Sequence, residues 1–132
     1  MSKLDSVFVV DDNPHDLEFL TLAFESNEEV SVIGETRSAL ALDRIRKERP
    51  ALVVLDVKMP ELDGFRLLEK LREEGNAVPV VMCSGSARQK DVNQAYSIGC
   101  NGYVEKPSSL ADYQLMAAAI LDYWRKGELP RH

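Results

Sequence analysis

Residues 51–56 read Ala-Leu-Val-Val-Leu-Asp, and residues 7–12 read Val-Phe-Val-Val-Asp-Asp. Leu52–Leu55 is a continuous apolar run of strand length that ends on a carboxylate. A strand with no polar alternation is one covered on both faces, which is the signature of a parallel sheet between helical layers. Val7–Val10 has the same character and also ends on acids. Asn13-Pro14 follows it and starts a helix: Asn13 caps, Pro14 suits the first helical position, and Asp16 and Glu18 sit in the first turn. Leu17, Leu20 and Phe24 then recur at helical spacing.

The same alternation repeats along the chain. Val30–Ile33 reads as a second strand. Ala41, Leu42 and Ile45 mark a second helix that must stop before Pro50. Phe65, Leu68 and Leu71 form a third helical stripe ending near Gly75. Val78–Cys83 is a fourth strand, and Val92, Ala95 and Gly99 outline a fourth helix. Tyr103–Val104 is a short fifth strand. A last helix from about Ser109 carries Leu110, Tyr113, Ala117, Ile120, Leu121 and Trp124 on one face, with Arg125, Lys126 and Gly127 as its cationic stop. The pattern predicts an α/β fold of five βα units, a parallel sheet with helices on both faces.

At 132 residues the chain is the size of one domain and needs no metal or disulfide staple. Its longest apolar stretches fall far below the ~18 residues of a membrane span, and Val7–Val10 is too short for a signal peptide. Cys83 and Cys100 are too few for a disulfide framework and lack Cys-x-x-Cys spacing; both read as small buried hydrophobes. These features predict a soluble domain of cytoplasmic type. The net charge is −6, and it is local: residues 1–30 carry −7 and the rest +1. With no basic stripe, nucleic-acid binding is not expected.

Polar residues recur where the strands end. Asp11 and Asp12 follow the first, Asp56 the third, Ser84 the fourth and Lys106 the fifth. In open α/β sheets the carboxyl ends of the strands line the ligand crevice, so these side chains converge on one rim. Three carboxylates together raise one another's pKa unless a cation is present. Lys106 offsets one charge, and a hard divalent ion such as Mg²⁺ offsets two more. A carboxylate nucleophile, a metal and donors for phosphoryl oxygens are the parts needed to form an acyl phosphate.

Four segments carry a family resemblance: Val-Val-Asp-Asp-Asn at 9–13, Val-Leu-Asp-Val-Lys-Met-Pro-Glu-Leu-Asp-Gly at 54–64, Val-Met-Cys-Ser-Gly at 81–85, and Gly-Tyr-Val-Glu-Lys-Pro at 102–107. In this order, on these elements, the chain resembles the receiver domain of a bacterial two-component response regulator. The resemblance implies the flavodoxin-like strand order 2-1-3-4-5. It implies that Asp56 is the phosphoacceptor, and that Asp11, Asp12, Asp56 and the backbone carbonyl of Lys58 hold Mg²⁺ or Mn²⁺. It makes Ser84 and Tyr103 the switch pair and Lys106 the lysine that pairs with the phosphoryl group. Lys58 and Ser86 fall at positions that tune hydrolysis. The family also implies a cis peptide at Lys106-Pro107. The C-terminal third is similar to single-domain regulators paired with phytochrome-type kinases.

From this resemblance we expect a receiver domain over 1–127, a short tail at 128–132 and no output domain. Such a protein is not an enzyme in the usual sense. It takes phosphate from a sensor histidine kinase or a histidine phosphotransfer protein, and it signals through protein contacts or serves as a phosphate sink or shuttle. A flavin or nucleotide module of similar topology would need a Gly/Ser/Thr-rich loop after the first strand; here that loop is acidic. An aspartyl-phosphate phosphohydrolase would have Asp-x-Asp after the first strand; here the acids are adjacent. The intact set of five residues argues against a pseudo-receiver. His15, beside the acid pair, reads as solvated. On the last helix, Leu115, Met116, Ala119 and Tyr123 form a second apolar arc. It is either part of a wide core seam or a surface for a homodimer or a docking kinase.

Overall fold

The structure is a computed structural model and describes residues 6–126; the expected tail at 128–132 lies outside the described residues. Five strands and five helices alternate: β1 Ser6–Val10, α1 Pro14–Glu25, β2 Ser31–Glu35, α2 Ser38–Glu48, β3 Leu52–Asp56, α3 Gly64–Glu73, β4 Val80–Ser84, α4 Gln89–Ile98, β5 Gly102–Glu105 and α5 Leu110–Lys126. The strands form one sheet in the order β2-β1-β3-β4-β5, all pairs parallel. This is the expected flavodoxin-like receiver fold.

Strand residues alternate between two cores, as the period-2 geometry of a strand requires. Phe8, Val10, Val53, Leu55, Val80 and Met82 face α2, α3 and α4. Val7, Val9, Leu52, Val54, Val81 and Cys83 face α1 and α5. β1, β3 and β4 are covered on both sides, which is why their sequences show no polar alternation. The edge strand β2 is half-buried. It runs Ser31–Glu35 rather than Val30–Ile33, because its register follows β1 as far as Val10 opposite Glu35.

Local chemistry sets the helix ends. Asn13 caps α1, its side chain accepting from the amides of His15 at 2.9 Å and Asp16 at 3.2 Å. α2 stops at Arg49, which takes the left-handed conformation immediately before Pro50. α3 closes before Gly75, at φ 81°. Gly99 caps α4 rather than belonging to it; its φ of 125° suits glycine, and its amide donates to Ala95. β4 starts at Val80, two residues later than the apolar run, since Pro79 has no amide hydrogen to give a ladder.

The inner face of α5 is as expected, with Tyr113, Ala117, Ile120, Leu121 and Trp124 buried; Leu110 is half-buried. The second arc divides. Leu115 (71% exposed) and Tyr123 (63% exposed) face outward, as does Ala119. Met116 does not: it is half-buried and packs on the α1–α5 core. Its long, flexible side chain reaches back over the seam.

Candidate functional site

The parallel order puts β1 beside β3, so Asp11 and Asp56 emerge next to one another at the carboxyl end of the sheet. Asp56 and Ser84 are the last residues of their strands, and Lys106 follows β5 directly. Asp11, Asp56 and Ser84 are buried polar groups. Asp56 and Ser84 line a cleft together with Asp12, Asp16, Lys58, Ser86 and Lys106, and the fully buried Asp11 pairs with that same Lys106. All the rim residues read from the sequence therefore meet in one place.

Backbone contacts fix the cluster. The Asn13 amide donates to Asp11 Oδ1 at 3.0 Å. The Gly64 amide donates to the Val57 carbonyl at 2.8 Å, folding the loop after β3 back onto the strand end. A Cβ at Gly64 would overlap the Asp56 carbonyl oxygen, so only glycine allows this approach. The Lys106 amide donates to the Ser84 carbonyl at 2.6 Å. The Lys106–Pro107 peptide is trans, contrary to the expected cis bond. That amide bond and the pull of the carboxylates already turn Lys106 inward, so the ordinary trans preference of ~0.5–1 kcal/mol stands.

Lys106 Nζ lies 2.9 Å from Asp11 Oδ2, 2.9 Å from Asp16 Oδ2 and 3.4 Å from Asp56 Oδ2. Asp16 is the residue that sequence reasoning missed, having read it only as a first-turn acid. Its position four residues after Asp12, on the turn begun by Pro14, is the available signal. Ser84 Oγ accepts from the Ser86 amide at 3.2 Å. The half-buried Tyr103 hydroxyl donates to the Ser86 carbonyl at 2.9 Å, tying β5 to the loop after β4.

The electrostatics are those of a site short of positive charge. Burial, then the charge of Asp11, push the Asp56 carboxyl up from 3.8 to about 7, against the pull of Lys106. Burial also raises Asp11, again opposed by Lys106. Burial disfavours the Lys106 ammonium, but its close pairing with the Asp11 and Asp16 carboxylates overcomes that and holds it protonated well above the ordinary lysine range. Burial pushes the Cys83 thiol up to about 12, so it is an inert core group as expected. Cys100 is likewise buried and free.

Asp11, Asp12 and Asp56 each present a carboxylate oxygen within 4.8 Å of the others. Asp11 Oδ2 is buried and makes no hydrogen bond, meeting Lys106 only as an ion pair. An all-oxygen set with an unsatisfied buried acceptor and surplus negative charge fits a hard divalent cation.

A buried carboxylate beside a lysine, a hydroxyl and an acid pair, at the strand ends of this fold, defines a receiver-type site. The chain belongs to the response regulator receiver domain family, whose model matches residues 7–119, and it is thus a receiver domain of two-component signalling. An uncharacterized 14.6 kDa protein of Leptolyngbya boryana is 36% identical over 104 residues, covering 76% of this chain and 78% of that protein. A probable transcriptional regulatory protein, TcrX, of Mycobacterium tuberculosis is 33% identical over 117 residues; the match covers 88% of this chain but 49% of that protein. The chain thus spans about half the length of that relative. Among solved structures, the phosphorylated cyanobacterial phytochrome response regulator RcpA superposes with a TM-score of 0.86 at 25% identity, covering 96% of this chain and 98% of that one. A response regulator in red light signaling of R. palustris gives a TM-score of 0.85 at 30% identity, covering 98% and 100%. Among the described residues no helix is long and apolar enough to cross a membrane.

Proposed function

We propose that this chain accepts a phosphoryl group on Asp56 and passes the change on through protein contacts. The carrying observation is the placement of Asp56, buried between Asp11 and Lys106 at the mouth of an open cleft. The donor is the phosphohistidine of a sensor kinase or phosphotransfer protein in the cytoplasm. The phytochrome and red-light regulators among the structural relatives favour a phytochrome-type kinase. An Asp56 carboxylate oxygen attacks phosphorus, and the phosphorus–nitrogen bond breaks. Its electron pair stays on the imidazole, whose other ring nitrogen carries a proton, so the histidine leaves neutral.

Asp11, Asp12, Asp56 and the Lys58 carbonyl would hold Mg²⁺ or Mn²⁺. Bound there, the ion supplies positive charge to the phosphoryl oxygens. Lys106 and Ser84 donate to those oxygens as well. Ser84 and Tyr103 act as the switch pair, with the Tyr103–Ser86 bond as the contact to be remade. Lys58 and Ser86 face the attacking water and tune hydrolysis. The protein is then a phosphoacceptor rather than a turnover enzyme. Passing phosphate onward, as a sink or shuttle, is the alternative output. The exposed Leu115, Ala119 and Tyr123 offer the outer face of α5 to a second copy or to the kinase.

Mass spectrometry after incubation with a small-molecule phosphodonor tests the reading. One phosphoryl group should appear with Mg²⁺ and be nearly absent in chelator, and Asp56→Asn should remain unlabelled. Equal labelling of Asp56→Asn with an acyl-phosphate-labile group overturns the assignment.

A further inference from the structure

Lys106 has three carboxylate partners, and the phosphoacceptor is the most distant of them. The strand-end acids Asp11 and Asp56 are buried, with side chains 0% and 8% exposed. The third partner, Asp16, belongs to the first turn of α1, and its side chain is 29% exposed. It lies outside the Asp11–Asp12–Asp56 set whose oxygens could share a cation. Yet it is Asp16 that takes a well-directed hydrogen bond from Nζ, at 2.9 Å. The Asp11 oxygen that faces Nζ makes no such bond. An ammonium has three hydrogens to aim. Here one is committed to Asp16 on α1, 2.9 Å away, while Asp56 Oδ2 lies at 3.4 Å across the same cleft.

We propose that Asp16 is a positioning residue that restrains Lys106. It holds the ammonium off Asp56 in the unphosphorylated protein, and a phosphoryl group must win Nζ from it. The inference rests on the reading of Asp56 as phosphoacceptor. A charge-assisted bond to a carboxylate is about twice as strong as a neutral one, but Asp16 is partly exposed, so solvent weakens its hold. The restraint is therefore of a size that phosphorylation can overcome. The plain alternative is an acid that favours the positive end of α1. That role predicts a small loss of helix stability on neutralisation and no change in phosphoryl chemistry.

Labelling of Asp56 by acetyl phosphate in Mg²⁺, read by mass spectrometry, separates the two. Asp16→Asn should label about 3- to 10-fold faster than wild type, the range for losing a part-exposed charge-assisted bond. Asp16→Glu, which restores the charge, should return to within about twofold. In a Lys106→Met background, Asp16→Asn should change the rate by less than about twofold, because the restrained group is gone. A crystal structure of Asp16→Asn without phosphodonor should place Nζ within hydrogen-bond reach of Asp56. If Asp56-dependent labelling is intact but Asp16→Asn labels no faster, the restraint is refuted and the phosphoacceptor assignment stands. A rate gain undiminished in Lys106→Met, or Nζ unmoved in the variant structure, also refutes it. If Asp56→Asn labels like wild type, the phosphoacceptor assignment itself fails, whatever Asp16 does.

Discussion

Neutralising Asp56 should stabilise the metal-free protein, and the gain should depend on pH in a definite direction. Asp56 is 7% exposed, and burial with the charge of Asp11 raises its carboxyl from 3.8 to about 7. For an acid raised on folding, the unfolded chain loses its proton from about pH 4, while the folded state keeps it until about 7. Over that window the folded state binds more protons, so its stability falls as pH rises. Above pH 7 the penalty is fully developed. At about 1.4 kcal/mol per pH unit it reaches about 4 kcal/mol. Asp56→Asn removes this penalty together with the 3.4 Å pairing to Lys106. Lys106 keeps Asp11 and Asp16 at 2.9 Å, so little is lost there.

The expected result is a variant about 2–4 kcal/mol more stable than wild type at pH 8 in EDTA, with the difference shrinking to about 1 kcal/mol at pH 4.5. Urea unfolding followed by the fluorescence of Trp124, the single tryptophan, measures it. Millimolar Mg²⁺ at pH 8 should narrow the gap, since an ion that binds only the folded wild type stabilises it by mass action. An equal difference at both pH values, or an Asn variant less stable at pH 8, would show that Asp56 is not electrostatically penalised.

Gly64→Ala should destabilise by about 3 kcal/mol in urea, because the added Cβ meets the Asp56 carbonyl and not a side chain that can yield; a loss below about 1 kcal/mol would show the loop to be pliant. Lys106→Met should lose about 3 kcal/mol at pH 8 by leaving buried acids uncompensated, and less at pH 5, where Asp56 is protonated; a pH-independent loss counts against it. Lys58→Asn should change the lifetime of the phosphorylated form, because Lys58 lines the cleft at its exposed edge. An identical decay rate removes it from the chemistry. Tyr123→Asp should abolish concentration-dependent self-association in light scattering; a wild type monomeric with and without phosphodonor excludes the dimer.

What could be read from the chain follows from where its information is local. Leu52–Leu55 and Val7–Val10 declare central parallel strands because both faces of each are covered, and no polar residue interrupts the run. Val30–Ile33 gave the wrong ends because an edge strand is bounded by its partner's register rather than by its own hydrophobicity. Asp11, Asp56, Ser84 and Lys106 were legible because strand ends of a doubly wound sheet converge by topology alone. Asp16 was not, because a first-turn acid already has a sufficient local explanation in the helix dipole. Its contact with Lys106 spans 90 positions of sequence. Met116 was left between core seam and surface for a related reason: spacing places a Cβ on a helix face, but a flexible side chain decides where its own sulfur packs, here on the core.

The contact with Asp16 also ties the site to the helix pair α1 and α5. Lys106 opens the loop into α5, and Asp16 opens α1; these two helices pack on the same face of the sheet. The rings of Phe19 on α1 and Tyr113 on α5 meet at 5.7 Å, and Arg125 near the end of α5 donates to the Glu28 carbonyl beyond α1 at 2.8 Å. A change in how Lys106 divides itself between Asp16 and Asp56 is therefore applied at one end of a helix pair already joined along its length. The outer residues of α5, Leu115 and Tyr123, ride on that pair. A packed interior transmits small shifts rather than absorbing them. On the proposed restraint, a change of charge at the strand ends would reach this exposed surface through the α1–α5 contacts.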